Sequence, residues 1–197
     1  PRRGSRKSRS GLSKSVAGGV HNTDGLTARV VHMFVLGIDP GLSRCGYGLV
    51  RRHGRHLRAE AAGVIHTEAT SPLADRLAEL QTEVRSLIAE HRPDEMAVER
   101  VLFQVNARTA MQTSHAAGVV MAEGAATGCP VTLYSPNEVK SAVAGWGGAD
   151  KAQVERMVQT LLGIDDPLRP VDAADAIAVA LCHLAVLPGR RPVAAAR

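Results

Sequence analysis

The sequence predicts an α/β domain in which helices flank a mixed central sheet. Three segments with strand character come first, at 34–38, 45–50 and 56–67, and shorter strands then alternate with helices. A chain of 197 residues is long enough to bury one hydrophobic core. No internal repeat is visible, so we expect one domain over 33–188, followed by a flexible tail at 189–197.

The first strand ends at Asp39, where Pro40 and Gly41 turn the chain sharply. Residues 45–50 return beside it as the second strand of a hairpin. Asp39 is therefore predicted at the end of a central strand, in the site that this edge of the sheet builds. Turn formation alone is the alternative explanation, because Asp, Pro and Gly all favour turns.

The later elements alternate between helix and strand. Strands are predicted at 96–98 and 131–134, and helices at 72–91, at 107–127, from Pro136, at 151–162 and at 172–187. The first of these helices repeats apolar residues mostly every three or four positions, as an amphipathic helix does. Its apolar face consists of Leu73, Leu77, Leu80, Val84, Leu87 and Ile88.

The formal net charge of +5 is concentrated in the N-terminal residues. Residues 1–32 hold seven Lys and Arg against one acid, Asp24, which leaves 17 basic and 18 acidic side chains in the rest. This segment is rich in Ser, Gly and Arg, lacks an apolar signal region and is predicted to be a disordered basic tail. Met33 is the expected natural start, which makes the tail an upstream extension; a DNA-binding arm is the alternative.

Cys45, Cys129 and Cys182 are single and widely spaced, and the eight histidines show no clear ligand spacing. This pattern argues against a zinc knuckle or a disulfide framework and suits a reducing cytoplasm. The longest apolar run, 176–187, is too short to span a bilayer, so no membrane association is expected.

Four acids stand at element boundaries beside apolar sequence: Asp39, Glu99, Asp172 and Asp175. Glu99 directly follows the fourth strand, and the two later aspartates share one helical face because they are three residues apart. The surrounding alanines leave room for a strand end to approach. The alternative is structural: Asp172 caps the helix, Asp175 interacts with its dipole, and Glu99 forms a surface ion pair.

Acids at two strand ends and one helix start can converge at one edge of a sheet. No basic residue recurs beside each of them, so their repulsion would be costly unless hard cations bind there. Mg²⁺ prefers carboxylate oxygens, and a pair of such ions clamps the attacking and leaving oxygens of a phosphodiester. The residues therefore predict a two-metal phosphodiesterase site.

Three motifs, GIDPGLSRCGYG, AVERVLFQVN and VDAADAIAVALCH, occur in an order and spacing that resemble the RuvC family of Holliday junction resolvases. The resemblance covers about 33–187 and implies a ribonuclease H-like fold with a metal-binding quartet at the four acids named above. It also implies a homodimer that makes paired symmetric nicks in four-way junctions, using two Mg²⁺ per site, which Mn²⁺ replaces. The implied partner is the RuvA–RuvB complex, and the implied location is the bacterial cytoplasm, at the nucleoid during repair.

The family's two basic positions match Lys140 and Lys151. The resemblance implies that both contact DNA phosphate and that Lys151 also takes part in catalysis, as a lysine that stabilises transition-state charge would. Ordinary surface lysines are the alternative. Family members often place an aromatic wedge three residues after the glutamate, where this chain has Leu102; Phe103 follows it, and either side chain could unstack bases.

The predicted helix 107–127 is rich in small residues, which suits close approach of a second helix. Met111, Met121 and its Ala/Gly face are the candidates for the implied dimer interface, and packing within one subunit is the alternative.

Two other functions compete with the nuclease. One is an actin-like kinase or ATPase, which this chain is too short to form. The other is a junction-binding protein that does not cut, although all four acids are present.

Overall fold

The computed structural model describes residues 32–101 and 107–187 and contains a five-stranded mixed sheet in the order β3-β2-β1-β4-β5. The strands are β1 (His32–Asp39), β2 (Arg44–His53), β3 (His56–His66), β4 (Glu95–Glu99) and β5 (Val131–Tyr134). β1 to β3 pair antiparallel, whereas β4 pairs parallel with both β1 and β5. The predicted mixed sheet is confirmed.

The described residues form five helices: α1 (Leu73–His91), α2 (Ala107–Ala126), α3 (Pro136–Ala144), α4 (Lys151–Leu162) and α5 (Val171–Val186). None of these helices is both long enough and apolar enough to cross a membrane. The alternative that Asp172 caps the last helix is wrong, because α5 begins one residue earlier and Pro170 occupies the N-cap position. Asp172 therefore lies within the first turn.

Alternation along β1 builds a hydrophobic core on each face of the sheet. Phe34, Leu36 and Ile38 belong to the core that contains buried residues of α1 and α2. Met33 and Val35 belong to the opposite core, which contains α5 together with parts of α3 and α4. The sheet is thus covered on both faces.

The first turn of α1 differs from its predicted apolar face. Leu73 is 42% exposed, whereas Arg76 is buried and takes the inward position in this turn. The guanidinium of Arg76 donates hydrogen bonds to Thr67 Oγ1 at 2.9 Å and to Ser43 Oγ at 2.6 Å. Because Ser43 follows the turn after β1, this buried arginine holds the loop that leaves Asp39.

Small residues allow α5 to lie directly on β1 and β2. A side-chain carbon added to Gly37 would overlap the backbone of Ala176, and one added to Gly48 would overlap Ile177. The inward alanines of α5, including Ala176 and Ala180, are fully buried in this contact. The glycines of the strands and the alanines of the helix therefore set how deeply α5 sits on the sheet.

Candidate active site

Asp39 and Glu99 end two neighbouring parallel strands. The register pairs Ile38 of β1 with Val98 of β4, so the two acids follow as the next residues at the same edge of the sheet. Both side chains lie on the face covered by α5, as alternation along the strands requires. The sheet alone therefore brings these two carboxylates together.

The first turn of α5 adds two further acids. A side-chain carbon on Gly46, which pairs with Asp39 across β1 and β2, would overlap the backbone of Asp172. This close approach brings carboxylate oxygens of Asp39, Asp172 and Asp175 within 4.8 Å of one another. The geometry agrees with the predicted convergence for these three residues.

Glu99 lines the same cleft as Asp39 and Asp175. The cleft has a volume of about 260 Å³, and its charged walls also include Lys140 and Lys151. The predicted quartet and both predicted lysines therefore belong to one region. Glu99 lies outside the group of three whose oxygens already meet within 4.8 Å.

Burial and crowding hold protons on two of the acids. Burial, followed by the charges of Glu99, Asp175 and Asp172, raises the pKa of Asp39 to about 7, against an opposing contribution from Lys151. Burial and the charge of Asp175 raise the pKa of Glu99 to about 7, while Lys140 and Lys151 oppose the rise. At neutral pH each of these two carboxyl groups is therefore about half protonated, because the site unaided does not stabilise the charge of all its acids.

Two basic side chains pair with the acids of α5. Arg44 Nε and Nη2 each lie 2.6 Å from Asp172 Oδ2, and Lys151 Nζ lies 2.6 Å from Asp175 Oδ2. The expectation that no basic residue accompanies the acids is therefore wrong for Asp172 and Asp175. Sequence reasoning missed Arg44 because its partner lies 128 residues away; its place inside the motif GIDPGLSRCGYG was the available signal.

Capping boxes fix the starts of the two helices that carry Lys140 and Lys151. Ser135 and Glu138 form a capping box at the start of α3, which carries Lys140, and Asp150 and Gln153 form another at the start of α4. Lys151 is the first residue of α4, so its backbone position is set by that cap. Both lysines are therefore held at the cleft by local sequence signals.

The donor set fits divalent cations that prefer oxygen. The three converging groups are carboxylates. Asp39 among them and Glu99 beside them have raised pKa values, which a bound cation would lower by neutralising the repulsion. Asp39, Asp172 and Asp175 would hold one cation directly, with Glu99 at the adjoining wall of the cleft. The two ion pairs are partly exposed and so are readily exchanged for other partners.

Two predicted DNA contacts, Leu102 and Phe103, lie outside the described residues. Of the predicted dimer residues, Met111 is 56% exposed, whereas Met121 is partly buried. Ala116 and Ala117 face the core of their own subunit. Packing within the subunit therefore accounts for part of the small-residue surface of α2.

Comparison with known proteins identifies relatives along most of the chain. The family model described as "Crossover junction endodeoxyribonuclease RuvC" matches residues 35–183. Proteins with this description from Salinispora arenicola and Moorella thermoacetica are 52% and 46% identical, over 153 and 159 residues. The alignments cover 77% and 81% of this chain, and 87% and 95% of the relatives.

Solved structures of similar proteins share the fold of this chain. A structure of Thermus thermophilus RuvC superposes with a TM-score of 0.75 at 34% identity, over 80% of this chain and 96% of that one. The same protein in complex with a Holliday junction substrate superposes with a TM-score of 0.73 at 35% identity, over 77% and 93% of the two chains. The yeast mitochondrial Holliday junction resolvase Ydc2, at 16% identity and a TM-score of 0.59, covers 78% of this chain and shares the fold, which is ribonuclease H-like.

Proposed function

Because the chain belongs to the RuvC family of crossover junction endodeoxyribonucleases, we propose that it resolves four-way DNA junctions by paired symmetric nicks at a site that holds two Mg²⁺. The convergence of Asp39, Asp172 and Asp175 within 4.8 Å carries the proposal. A sheet edge with clustered carboxylates and flanking lysines suits hydrolysis of a phosphodiester. Mn²⁺, which also accepts carboxylate oxygens, is expected to replace Mg²⁺.

Asp39, Glu99, Asp172 and Asp175 hold the cations in this proposal. A bound pair of divalent cations supplies an activated water and offsets the charge that develops on the phosphate. Asp39 and Glu99 release their protons when the site is filled, since both have a pKa of about 7. The chain thus contributes a rigid cradle, built on two strand ends and one helix turn.

Lys151 and Lys140 meet the phosphate. Lys151 Nζ pairs with Asp175, and its ammonium group would become available to the DNA if that carboxylate held a cation instead. Arg44 has the same relation to Asp172 and is a further candidate for phosphate contact. Positive groups placed at the developing charge lower the barrier to phosphoryl transfer. Leu102 and Phe103 remain the proposed wedge into the junction.

The function is tested with a synthetic four-way junction labelled on one strand at a time, beside a linear duplex of matched sequence. We expect paired symmetric nicks in the junction that require Mg²⁺, and loss of cutting by about 10³-fold in Asp172→Asn. This variant should still bind the junction, because it removes a cation ligand and leaves the lysines. Junction binding by the wild type without cutting would favour a scaffold, and equal cutting of duplex and junction would contradict junction selectivity.

We infer a homodimer with its interface on α2. Met111, His115, Gly118 and Ala122 are spaced by four, three and four residues, and Met111, His115 and Gly118 are exposed on the side away from the core. Gly118→Glu should yield monomers in sedimentation experiments without unfolding α2, because an added side chain at Gly118 meets open space. A variant that sediments like the wild type would contradict this interface.

The RuvA–RuvB complex and the bacterial nucleoid remain the proposed partner and location.

A further inference from the structure

The hairpin that joins β2 and β3 carries four arginines within eight residues, 51–58, and we propose that this segment, the basic hairpin, binds the phosphate backbone of a junction arm. The proposal rests on the proposed function and adds a second DNA contact outside the carboxylate cleft. Outside residues 1–32 the chain has 17 basic and 18 acidic side chains, so this concentration is local. The arginines are Arg51, Arg52, Arg55 and Arg58.

Strand register aligns donors of hydrogen bonds on one face of the hairpin. His32, His53 and His56 are direct partners across β1, β2 and β3, so their side chains lie in a row on the same face. The next row on that face contains Arg51 and Arg58. All three imidazoles are exposed. The face therefore presents five nitrogen-bearing side chains to a ligand.

Three arginines of the basic hairpin, Arg52, Arg55 and Arg58, make no ion pair among the described residues, and Arg52 is only partly exposed. Arg55, in the turn formed with Gly54, and Arg58 are exposed and make no ion pair within 32–101 and 107–187. Arg51, in contrast, lies 3.8 Å from the centre of the Phe34 ring and pairs with Glu60 at 3.4 Å. The surface thus combines an anchored arginine with two whose charge is available to an anion.

The same row of histidines could instead bind a transition metal. His32 Nδ1 and His53 Nδ1 lie 2.9 Å apart in a hydrogen bond, in which one imidazole donates and the other accepts, and a metal ion could replace the shared proton. Four guanidinium groups on one hairpin repel a divalent cation, however, and their positive charge attracts phosphate. Charge therefore favours the nucleic-acid backbone.

The position of the basic hairpin separates it from the cutting site. Asp39 pairs with Gly46, and His53 lies seven residues further along β2, which corresponds to roughly 23 Å at 3.3 Å per residue. At 3.4 Å per base pair this span is about seven base pairs of duplex. The row of histidines with Arg51 lies on the same face as Phe34, which is the opposite face of the sheet from Asp39. The hairpin thus contacts an arm beyond the cleft, where the duplex passes the end of the sheet, and it contributes to affinity.

The test measures junction binding in the Asp172→Asn background, so that DNA stays intact in Mg²⁺. Arg55→Gln/Arg58→Gln should raise Kd about tenfold and reduce the slope of log K against log salt by about 2, as loss of two phosphate contacts predicts. The matched control, Arg55→Lys/Arg58→Lys, keeps both charges and should bind within about twofold of the parent. Equal weakening by both double variants would indicate a structural role and overturn the proposal.

Three further outcomes are decisive. Unchanged Kd and salt slope in the Gln double variant overturn the basic hairpin as a DNA contact. Stoichiometric Zn²⁺ binding by the full chain that His53→Ala abolishes, with junction affinity unaffected by the Gln variant, identifies a metal site instead. Wild-type protein that fails to cut junctions overturns the proposed function, whereas wild-type cutting combined with an unaffected Kd overturns only the hairpin contact.

Discussion

Asp39→Asn should abolish junction cutting and at the same time stabilise the cation-free protein at pH 8. Loss of this carboxylate removes the ligand that meets both acids of α5, so we expect cleavage to fall on the order of 10³-fold or more. The stabilisation arises because the pKa of Asp39 rises from 3.8 to about 7 on folding. The native site thus opposes ionisation of a group that the unfolded chain ionises freely.

The sign of the pH dependence follows from this shift. Below pH 3.8 Asp39 is protonated in both states and contributes nothing; as the pH rises toward 7, the unfolded chain loses the proton first and the fold loses stability. The full pKa shift of Asp39 corresponds to a loss of at most about 4 kcal/mol in the free energy of unfolding at pH 8. We expect about half of this loss, because the cleft is open to water.

Urea denaturation in EDTA at pH 5 and pH 8 measures this effect. The gain in stability of Asp39→Asn over the wild type should be larger at pH 8 than at pH 5. Asp165→Asn provides the control, since Asp165 is an exposed acid in the loop before α5 and should change stability little at either pH. A destabilised Asp39→Asn protein at pH 8 would show that the carboxylate supports the fold.

The fold and the position of the acids could be predicted because local signals specify them. Hydrophobic runs and turns predict that strands end at Asp39 and Glu99. The three-residue spacing predicts that Asp172 and Asp175 share one face of a helix. Parallel strands bring their ends to a common edge, which is a rule of topology and needs no tertiary detail. The convergence of acids was therefore accessible from the sequence.

Side-chain partners that depend on tertiary packing could not be predicted in this way. Arg44 pairs with Asp172 only because Gly46 lets α5 approach β2; its place inside the motif GIDPGLSRCGYG marks the residue, but does not indicate a partner 128 positions away. Arg76 occupies an inward position that the apolar pattern assigned to its neighbour Leu73, because hydrogen bonds to Thr67 and Ser43 satisfy its guanidinium. Both departures involve arginines, whose length allows them to reach distant partners.

Cation binding should release protons. Asp39 and Glu99 each have a pKa of about 7, and a carboxylate must lose its proton before it binds Mg²⁺. At pH 8 both are mostly ionised, whereas at pH 6 both are mostly protonated, so protons compete with the cation. We expect the apparent affinity for Mg²⁺ to fall by about 10- to 100-fold from pH 8 to pH 6.

Calorimetric titration with Mg²⁺ at pH 7, in two buffers of different ionisation enthalpy, counts the protons released. Two groups that are half protonated at this pH should together release about one proton when the site is filled. Glu99→Gln serves as the matched variant: it removes one of the two titrating groups and also the charge that helps to raise the pKa of Asp39, so the release should fall to less than half. Heats that do not depend on the buffer would contradict the raised pKa values and would mean that both carboxylates are already ionised before the cation binds.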